Sequence, residues 1–120
     1  MWIYSQSSGN LWDDRGLMIA TGYSGCGEGL NNPALEAVKN VGPIPRGMWV
    51  ITSLYDSKKV GPYAIVLEPS GHNALERDYF RMHGDNRHMN KTASKGCTIF
   101  PRPIRGKVWD SGDKLFLVIE

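Results

Sequence analysis

This chain carries its strongest structural signal in two stretches, Phe80-Arg81-Met82-His83-Gly84-Asp85-Asn86 and Ala93-Ser94-Lys95-Gly96-Cys97-Thr98-Ile99. Apolar residues flank His83 and Cys97 at strand-like spacing. A glycine follows the histidine directly and another precedes the cysteine, and glycine permits sharp backbone turns. The pattern predicts two neighbouring strand ends that present a histidine and a cysteine to one cleft.

Short apolar runs elsewhere predict a β-rich fold. The chain has 14 glycines and 7 prolines, which cluster between runs of β-branched and aromatic residues. The predicted strands are Trp2–Tyr4, Leu17–Ala20, Met48–Leu54, Tyr63–Leu67, Phe80–His83, Cys97–Phe100 and Leu115–Ile119. Helices are predicted at Pro33–Lys39, with Asn32 as N-cap, and at Ile104–Trp109, which Gly112 follows. We expect residues 1–120 to form one mainly-β domain with minor α, a sandwich or partly open barrel.

Composition argues against nucleic-acid and membrane partners. The net charge is only +2, and no stripe of lysine and arginine with interleaved aromatic residues occurs. No apolar run approaches the roughly 20 residues of a transmembrane helix, and the N-terminus lacks the basic and apolar regions of a signal peptide. We therefore expect synthesis in the cytoplasm without a signal peptide, no nucleic-acid binding and no membrane insertion.

Cys97 and His83 have the side chains of a nucleophile and its base. A cysteine with its ordinary pKa of about 8.5 needs a base near neutral pH, and histidine is the usual partner. Lys95 adds positive charge that favours the thiolate, and backbone N–H groups from Lys95 to Cys97 are candidates to bind an oxyanion. The structural alternatives are a small buried cysteine and a histidine that only supports the fold.

The residues around this pair have their own interpretations. Gly96 lets the backbone bend close to a substrate, and Gly84 lets the chain turn after His83. Ser94 is expected to shape the turn or to fix His83. Asp85 either orients His83 or forms the turn in Gly-Asp-Asn.

No metal site or cofactor is predicted. The three histidines and two cysteines occur without Cys-x-x-Cys or His-Glu-x-x-His spacing. Cys26 lies in a glycine-rich loop and is interpreted as a lone thiol. A disulfide between Cys26 and Cys97 is not expected, because it would block the proposed nucleophile.

The segment from His83-Gly84 to Ser94-Lys95-Gly96-Cys97 resembles the His…Ser-X-Gly-Cys signature of L,D-transpeptidases of the YkuD type. Its ten-residue spacer is shorter than theirs, and Lys95 stands where they usually carry His or Arg. Both differences resemble the L,D-transpeptidase-related antibacterial effectors of type VI secretion systems. The resemblance also includes Gly22-Tyr23-Ser24-Gly25, Asn31-Asn32-Pro33, Gly42-Pro43-Ile44-Pro45-Arg46-Gly47 and Trp109-Asp110-Ser111-Gly112-Asp113.

The resemblance implies a β-rich L,D-transpeptidase-like catalytic domain that acts on peptidoglycan peptide stems. The reaction would cleave the bond between meso-diaminopimelate and the terminal D-alanine of a tetrapeptide, or exchange that D-alanine for another D-amino acid. Partners would be the type VI secretion apparatus and a cognate immunity protein, with action in the periplasm of target bacteria. Arg81 is a candidate for binding a substrate carboxylate or for a structural ion pair, and Tyr23 and Asn31 are candidates for lining the cleft.

Two other functions remain open at the level of sequence. The first is a non-catalytic domain that binds the cell wall or builds a secretion or phage structure, and the second is a sortase-like transpeptidase that acts on proteins. The intact pair of His83 and Cys97 argues against the first. The short distance between them in sequence argues against the second, although Arg102 and Arg105 follow the cysteine as a sortase requires.

Overall fold

The computed structural model describes the whole chain, residues 1–120. Its nine strands are β1 (Trp2–Ser5), β2 (Asn10–Trp12), β3 (Met18–Thr21), β4 (Tyr23–Ser24), β5 (Gly47–Ser57), β6 (Gly61–Ser70), β7 (Phe80–His83), β8 (Thr98–Ile99) and β9 (Leu115–Ile119). One α-helix, α1, spans Arg102–Asp110, and short 3-10 helices span Gly27–Gly29, Pro33–Leu35 and Ala74–Glu76. Strands hold 38% of the residues and helices 15%, which confirms the predicted mainly-β class with minor α.

All nine strands belong to one hydrogen-bonded sheet in the order β3-β2-β1-β9-β5-β6-β7-β8-β4. Neighbours are antiparallel except for two parallel pairs, β1 with β9 and β7 with β8. The sheet ends at β3 on one side and at β4 on the other, so it is not closed into a barrel. The parallel pair of β7 and β8 lies near the β4 edge.

The long hairpin of β5 and β6 forms the centre of this sheet. The two strands have 11 and 10 residues and are rich in the β-branched and aromatic residues that favour strands. Gly61 opens β6 at a φ of 97°, a left-handed conformation that glycine adopts at little cost. Four consecutive residues, Ala64–Leu67, are buried, so β6 is covered on both faces and provides a rigid neighbour for β7.

Aromatic side chains fill the core beside β7. The ring of Trp49 is fully buried and lies 4.9 Å from the ring of Phe80, edge to face. Its indole N–H donates to the carbonyl of Pro45 at 3.0 Å, so the buried polar atom is satisfied. The rings of Tyr4 and Phe100 meet at 5.9 Å in a second edge-to-face pair. These contacts fix both ends of the segment that carries His83 and Cys97.

The helix predicted at Pro33–Lys39 begins at the predicted residue but is shorter than predicted. Only Pro33–Leu35 is helical, as one 3-10 turn without a buried residue. Helices in proteins are stabilised mainly by packing of an apolar face, and residues 37–39 are exposed. The predicted N-cap is nevertheless present, because the Asn32 side chain accepts the N–H of Ala34 at 3.1 Å.

The second predicted helix, Ile104–Trp109, lies within α1. The observed helix begins two residues earlier, at Arg102, with Pro103 in its first turn. Proline is tolerated there because the N–H groups of a first turn have no intrahelical acceptor. No helix of the chain combines the length and apolar character that crossing a membrane requires.

Each of the seven predicted strands overlaps an observed strand, and Phe80–His83 and Leu115–Ile119 match β7 and β9 in both bounds. Cys97–Phe100 is too long, because β8 covers only Thr98–Ile99. Two strands were not predicted, β2 and β4. They have three and two residues, so their pairing depends on the neighbouring strands and leaves little periodicity to detect.

Trp49→Ala is expected to lower the free energy of unfolding by about 3–5 kcal/mol, because it leaves a cavity where a fully buried indole packs. Urea unfolding measures the change. The matched control is Thr52→Ala, an exposed position on the same strand, which is expected to change it by less than about 1 kcal/mol. Equal losses in the two variants would contradict this description of the core.

Candidate active site

The end of β7 and the start of β8 bring His83 and Cys97 together. These strands pair in parallel, with His83 opposite Ile99. Side chains alternate between the faces of a strand, so Cys97 and Ile99 share a face, and His83 shares it with them. Both side chains line one cleft of about 420 Å³.

His83 is held in one tautomer by its neighbour. Its Nδ1 lies 2.8 Å from the carbonyl oxygen of Gly84, and because a carbonyl only accepts, Nδ1 carries the hydrogen. In the neutral ring, Nε2 then has a free lone pair and no protein partner. Burial lowers the pKa of His83, and the positive charge of Arg105 lowers it further. The hydrogen bond to Gly84 acts in the opposite direction but does not cancel the lowering. The neutral imidazole, which is the form that accepts a proton, is therefore favoured.

Asp85 does not orient His83. Its carboxylate accepts a hydrogen bond from the Tyr23 hydroxyl at 2.7 Å and from the Asn86 N–H at 2.9 Å. These contacts support the alternative interpretation, in which Asp85 forms the turn in Gly-Asp-Asn. Gly84 has a packing role beside it, because a Cβ there would lie 3.0 Å from a guanidinium nitrogen of Arg105.

The thiol of Cys97 lies at the floor of the cleft, and the residue is 6% exposed. Its sulfur accepts the Arg81 N–H at 3.3 Å and donates to the Tyr79 carbonyl at 3.5 Å. Burial raises the pKa of Cys97, while the Arg81 N–H and the charges of Arg81, Lys59 and Arg77 act in the opposite direction. Cys97 is thus a neutral thiol at rest, surrounded by cations that stabilise it once it is charged.

The hydroxyl of Ser94 organises the turn before Cys97. This buried side chain accepts the N–H of Gly25 at 2.8 Å and the N–H of Gly96 at 3.1 Å, and donates to the Cys97 carbonyl at 2.6 Å. Ser94 therefore shapes the turn and does not contact His83. Because the N–H of Gly96 is used here, it is not the free oxyanion donor that we expected. The N–H groups of Lys95 and Cys97 donate to no protein acceptor.

Sequence analysis did not identify Arg77, which supports the same turn. Its buried guanidinium donates to four backbone carbonyls at 2.5–3.1 Å, those of Glu36, Gly42, Pro43 and Lys95. A Cβ at Gly96 would lie 2.5 Å from it, so only glycine fits at this position, where φ is 133°. Burial lowers the pKa of Arg77, and the nearby Cys97 raises it. No carboxylate lies within ion-pair distance of this cation.

The second residue that sequence analysis missed is Ser24. Its fully buried hydroxyl donates to the Gly96 carbonyl at 2.9 Å and accepts the Ile44 N–H at 2.9 Å. It joins β4 and the loop at Ile44 to the turn that carries Cys97. The motif Gly22-Tyr23-Ser24-Gly25 is part of the family resemblance, but nothing in its pattern distinguishes the serine.

Tyr23 and Asn31 do not line the cleft. The Tyr23 hydroxyl accepts the Ala93 N–H at 3.2 Å in addition to its bond to Asp85, and its ring packs behind Cys97. Burial raises the pKa of Tyr23, and the hydrogen bond to Asp85 raises it further. Asn31 accepts the Ser24 N–H at 3.1 Å. Both side chains hold β4 in place.

Arg81 forms no ion pair, which excludes its structural alternative. Its guanidinium donates to the Tyr55 hydroxyl at 3.0 Å and to the Phe80 carbonyl at 3.0 Å, and it lies 4.1 Å from the centre of the Tyr79 ring. The hydrogen bond from Arg81 lowers the pKa of Tyr55 to about 8. Arg81 is therefore largely occupied by protein partners and does not line the cleft.

The cleft itself is basic. Its lining includes the expected Lys95 together with two lysines that sequence analysis did not select, Lys39 and Lys59, and a single acid, Asp78. The structure brings no three histidine, cysteine or carboxylate side chains together as a metal site requires. Cys26 and Cys97 are both free thiols. Cys26 donates to the Asn40 carbonyl at 3.4 Å.

A family model described as the Tlde1 domain matches residues 18–114, most of the chain. The matched region contains β3 to β8 and α1, and thus every residue of the site described above. No curated protein and no solved structure matches the chain.

Ser94→Ala is expected to lower the free energy of unfolding by about 1–3 kcal/mol, because it leaves the buried N–H groups of Gly25 and Gly96 without an acceptor. Urea unfolding measures the loss. Ser53→Ala, at an exposed position of β5, is the matched control and is expected to stay within about 0.5 kcal/mol of the wild type. A neutral Ser94→Ala would contradict the role assigned to the hydroxyl.

The buried thiol makes stability depend on alkaline pH. Because the pKa of Cys97 is raised by folding, the folded chain keeps a proton that the unfolded chain releases above about pH 8.5. Stability is therefore lost as pH rises through this range. Cys97→Ala is expected to reduce the loss between about pH 7.5 and about pH 9.5, measured by urea unfolding at each pH.

The matched control is Cys26→Ala, which removes the half-exposed thiol outside the cleft lining. It is expected to keep the alkaline loss of the wild type. A Cys97→Ala variant that loses as much stability at high pH as the wild type would show that Cys97 is not a buried neutral thiol.

Proposed function

We propose a specific reaction for this chain, which belongs to the Tlde1 domain family. Membership of that family supports a role as an antibacterial effector of type VI secretion. The reaction is the cleavage of the meso-diaminopimelate–D-alanine bond in tetrapeptide stems of peptidoglycan, with exchange of D-alanine for another D-amino acid as its transpeptidase form. The observation that carries the proposal is that His83 and Cys97 line the same cleft from paired strand ends.

The first half of the reaction forms a thioester. His83 Nε2 takes the proton of the Cys97 thiol as sulfur attacks the carbonyl carbon of diaminopimelate. Backbone N–H groups without a protein acceptor stabilise the charge on the carbonyl oxygen. The N–H groups of Lys95 and Cys97 are available for this role. The carbon–nitrogen bond then breaks, and the imidazolium gives its proton to the departing amine of D-alanine.

The second half of the reaction restores the enzyme. Water, or the amine of another D-amino acid, attacks the thioester carbon, and His83 removes a proton from this attacking group. Sulfur leaves and regains a proton from the imidazolium. Hydrolysis yields a tripeptide stem, and exchange yields a tetrapeptide with a new terminal residue.

The electrostatics of the site support this sequence of proton transfers. The lowered pKa of His83 keeps the imidazole neutral at the pH where it must act as a base. The raised pKa of Cys97 keeps the proton on sulfur until a substrate is present. The cations around sulfur stabilise the thiolate that forms when the proton passes to His83, which a non-catalytic buried cysteine would not need.

The proposed reaction determines the proposed partners and place of action. A type VI secretion apparatus would deliver the chain, and a cognate immunity protein would protect the producing cell. The peptide stems lie in the periplasm of the target bacterium, so the enzyme is proposed to act there. The reaction needs no cofactor, because the thiol and the imidazole supply the nucleophile and the base.

Cys97→Ala is expected to abolish cleavage, and His83→Gln is expected to reduce kcat by at least about 100-fold, because each removes one member of the nucleophile–base pair. Purified protein is incubated with tetrapeptide muropeptides, and the products are followed by mass spectrometry. Unchanged turnover by the Cys97 variant would refute the assignment of the nucleophile.

The matched controls replace the second thiol and a second histidine. Cys26→Ala and His88→Gln both lie outside the cleft lining and are expected to retain wild-type turnover. Circular dichroism on all four variants separates loss of fold from loss of chemistry.

A further inference from the structure

The cleft concentrates the positive charge of the chain. Lys39, Lys59 and Lys95 reach it from three separate segments, and Asp78 is the only acid in its lining. None of these lysines forms an ion pair. The excess of two positive charges equals the formal net charge of the whole protein, which is +2. An anionic group of a substrate would therefore be attracted to this part of the surface.

Lys59 is the lysine whose position is best defined. It lies in the turn between β5 and β6, and its ammonium sits 4.4 Å from the centre of the Tyr79 ring. The carbonyl of the same Tyr79 accepts the Cys97 thiol at 3.5 Å. One residue thus contacts both the ammonium and the sulfur, and the charge of Lys59 favours the thiolate of Cys97. Lys59 also borders the smaller cavity beside His83.

This position suits recognition of a terminal carboxylate. In a peptide, the carbonyl of one residue is separated from the carboxylate of the next by about one residue length, roughly 3.8 Å. A cation that reads the carboxylate of the leaving residue must therefore lie close to the nucleophilic sulfur. Arg81, the candidate from the sequence, is less suitable because its guanidinium already binds Tyr55 and Phe80.

We propose that Lys59 is a specificity-determining residue that binds the free C-terminal carboxylate of the leaving amino acid. The inference rests on the proposed function and deepens it. With Lys59 in this place, the site selects the last peptide bond of a stem and discriminates against internal bonds and amidated termini. The ammonium leaves the face of the Tyr79 ring for a charge-assisted hydrogen bond to the carboxylate, a stronger interaction.

The test compares two substrates that differ only at their C-terminus. One is a tetrapeptide stem that ends in D-alanine with a free carboxylate, and the other is the same stem with a C-terminal amide. For the wild type, kcat/KM is expected to be roughly 10–100-fold higher for the acid, the range for one hydrogen bond to a charged group. Lys59→Met, which keeps the length of the side chain, is expected to reduce this preference to less than about threefold, mainly through KM for the acid.

Lys58→Met is the matched control, because it removes an exposed lysine from the same turn outside the cleft lining. It is expected to keep the wild-type preference. In Lys39→Met and Lys95→Met, the logarithm of the acid-over-amide ratio of kcat/KM is expected to stay at or above half of its wild-type value. If either of them abolishes the preference while Lys59→Met does not, the assignment to Lys59 is overturned.

The outcomes separate this inference from the proposed function. Cleavage of both stems by the wild type with equal efficiency overturns the role of Lys59 and leaves the reaction intact. Cleavage of neither stem overturns the reaction, and the inference with it. A preference for the acid that disappears only in Lys59→Met supports both.

Discussion

The candidate site depends on a buried cation that has backbone carbonyls, instead of a carboxylate, as its partners. Arg77 joins the chain at Glu36 and at Gly42-Pro43 to the carbonyl of Lys95, directly before the turn that presents Cys97. A buried guanidinium is costly unless its donors are satisfied, so these loops can move only if several hydrogen bonds break together. The two groups whose negative charge favours the protonated guanidinium are the thiolate of Cys97 and the carboxylate of Glu36. The fold and the reactivity of the site are thereby coupled through one side chain.

The site balances burial against charge. Burial by itself disfavours both the thiolate and the imidazolium, as the raised pKa of Cys97 and the lowered pKa of His83 indicate. The surrounding cations oppose burial only at the sulfur. The pair of Cys97 and His83 is therefore uncharged at rest, which limits side reactions of the thiol, and the cations beside sulfur stabilise the thiolate once its proton moves to His83.

The sequence allowed the central pair to be predicted because that signal is local. His83 and Cys97 each lie at the end of a short apolar run beside a glycine, and the parallel register of β7 and β8 brings them together. Arg77 could not be predicted, because its carbonyl partners lie 18 to 41 residues away and carry no residue-specific pattern. Lys39 and Lys59 have the same limitation, since they reach the cleft from segments that are distant from Cys97 in the sequence. Tyr23, expected at the cleft, lies behind it because its hydroxyl satisfies the loop at Asp85 and Ala93.

The covalent intermediate provides the most direct test of the account. Wild-type protein is mixed with a tetrapeptide stem, quenched in acid within seconds and measured by intact-protein mass spectrometry, followed by peptide mapping. The account predicts a mass increase equal to the mass of the tetrapeptide stem minus that of one molecule of D-alanine, located on Cys97 as a thioester that hydroxylamine removes. Turnover of the stem without any adduct, or an adduct located on Cys26, would contradict it.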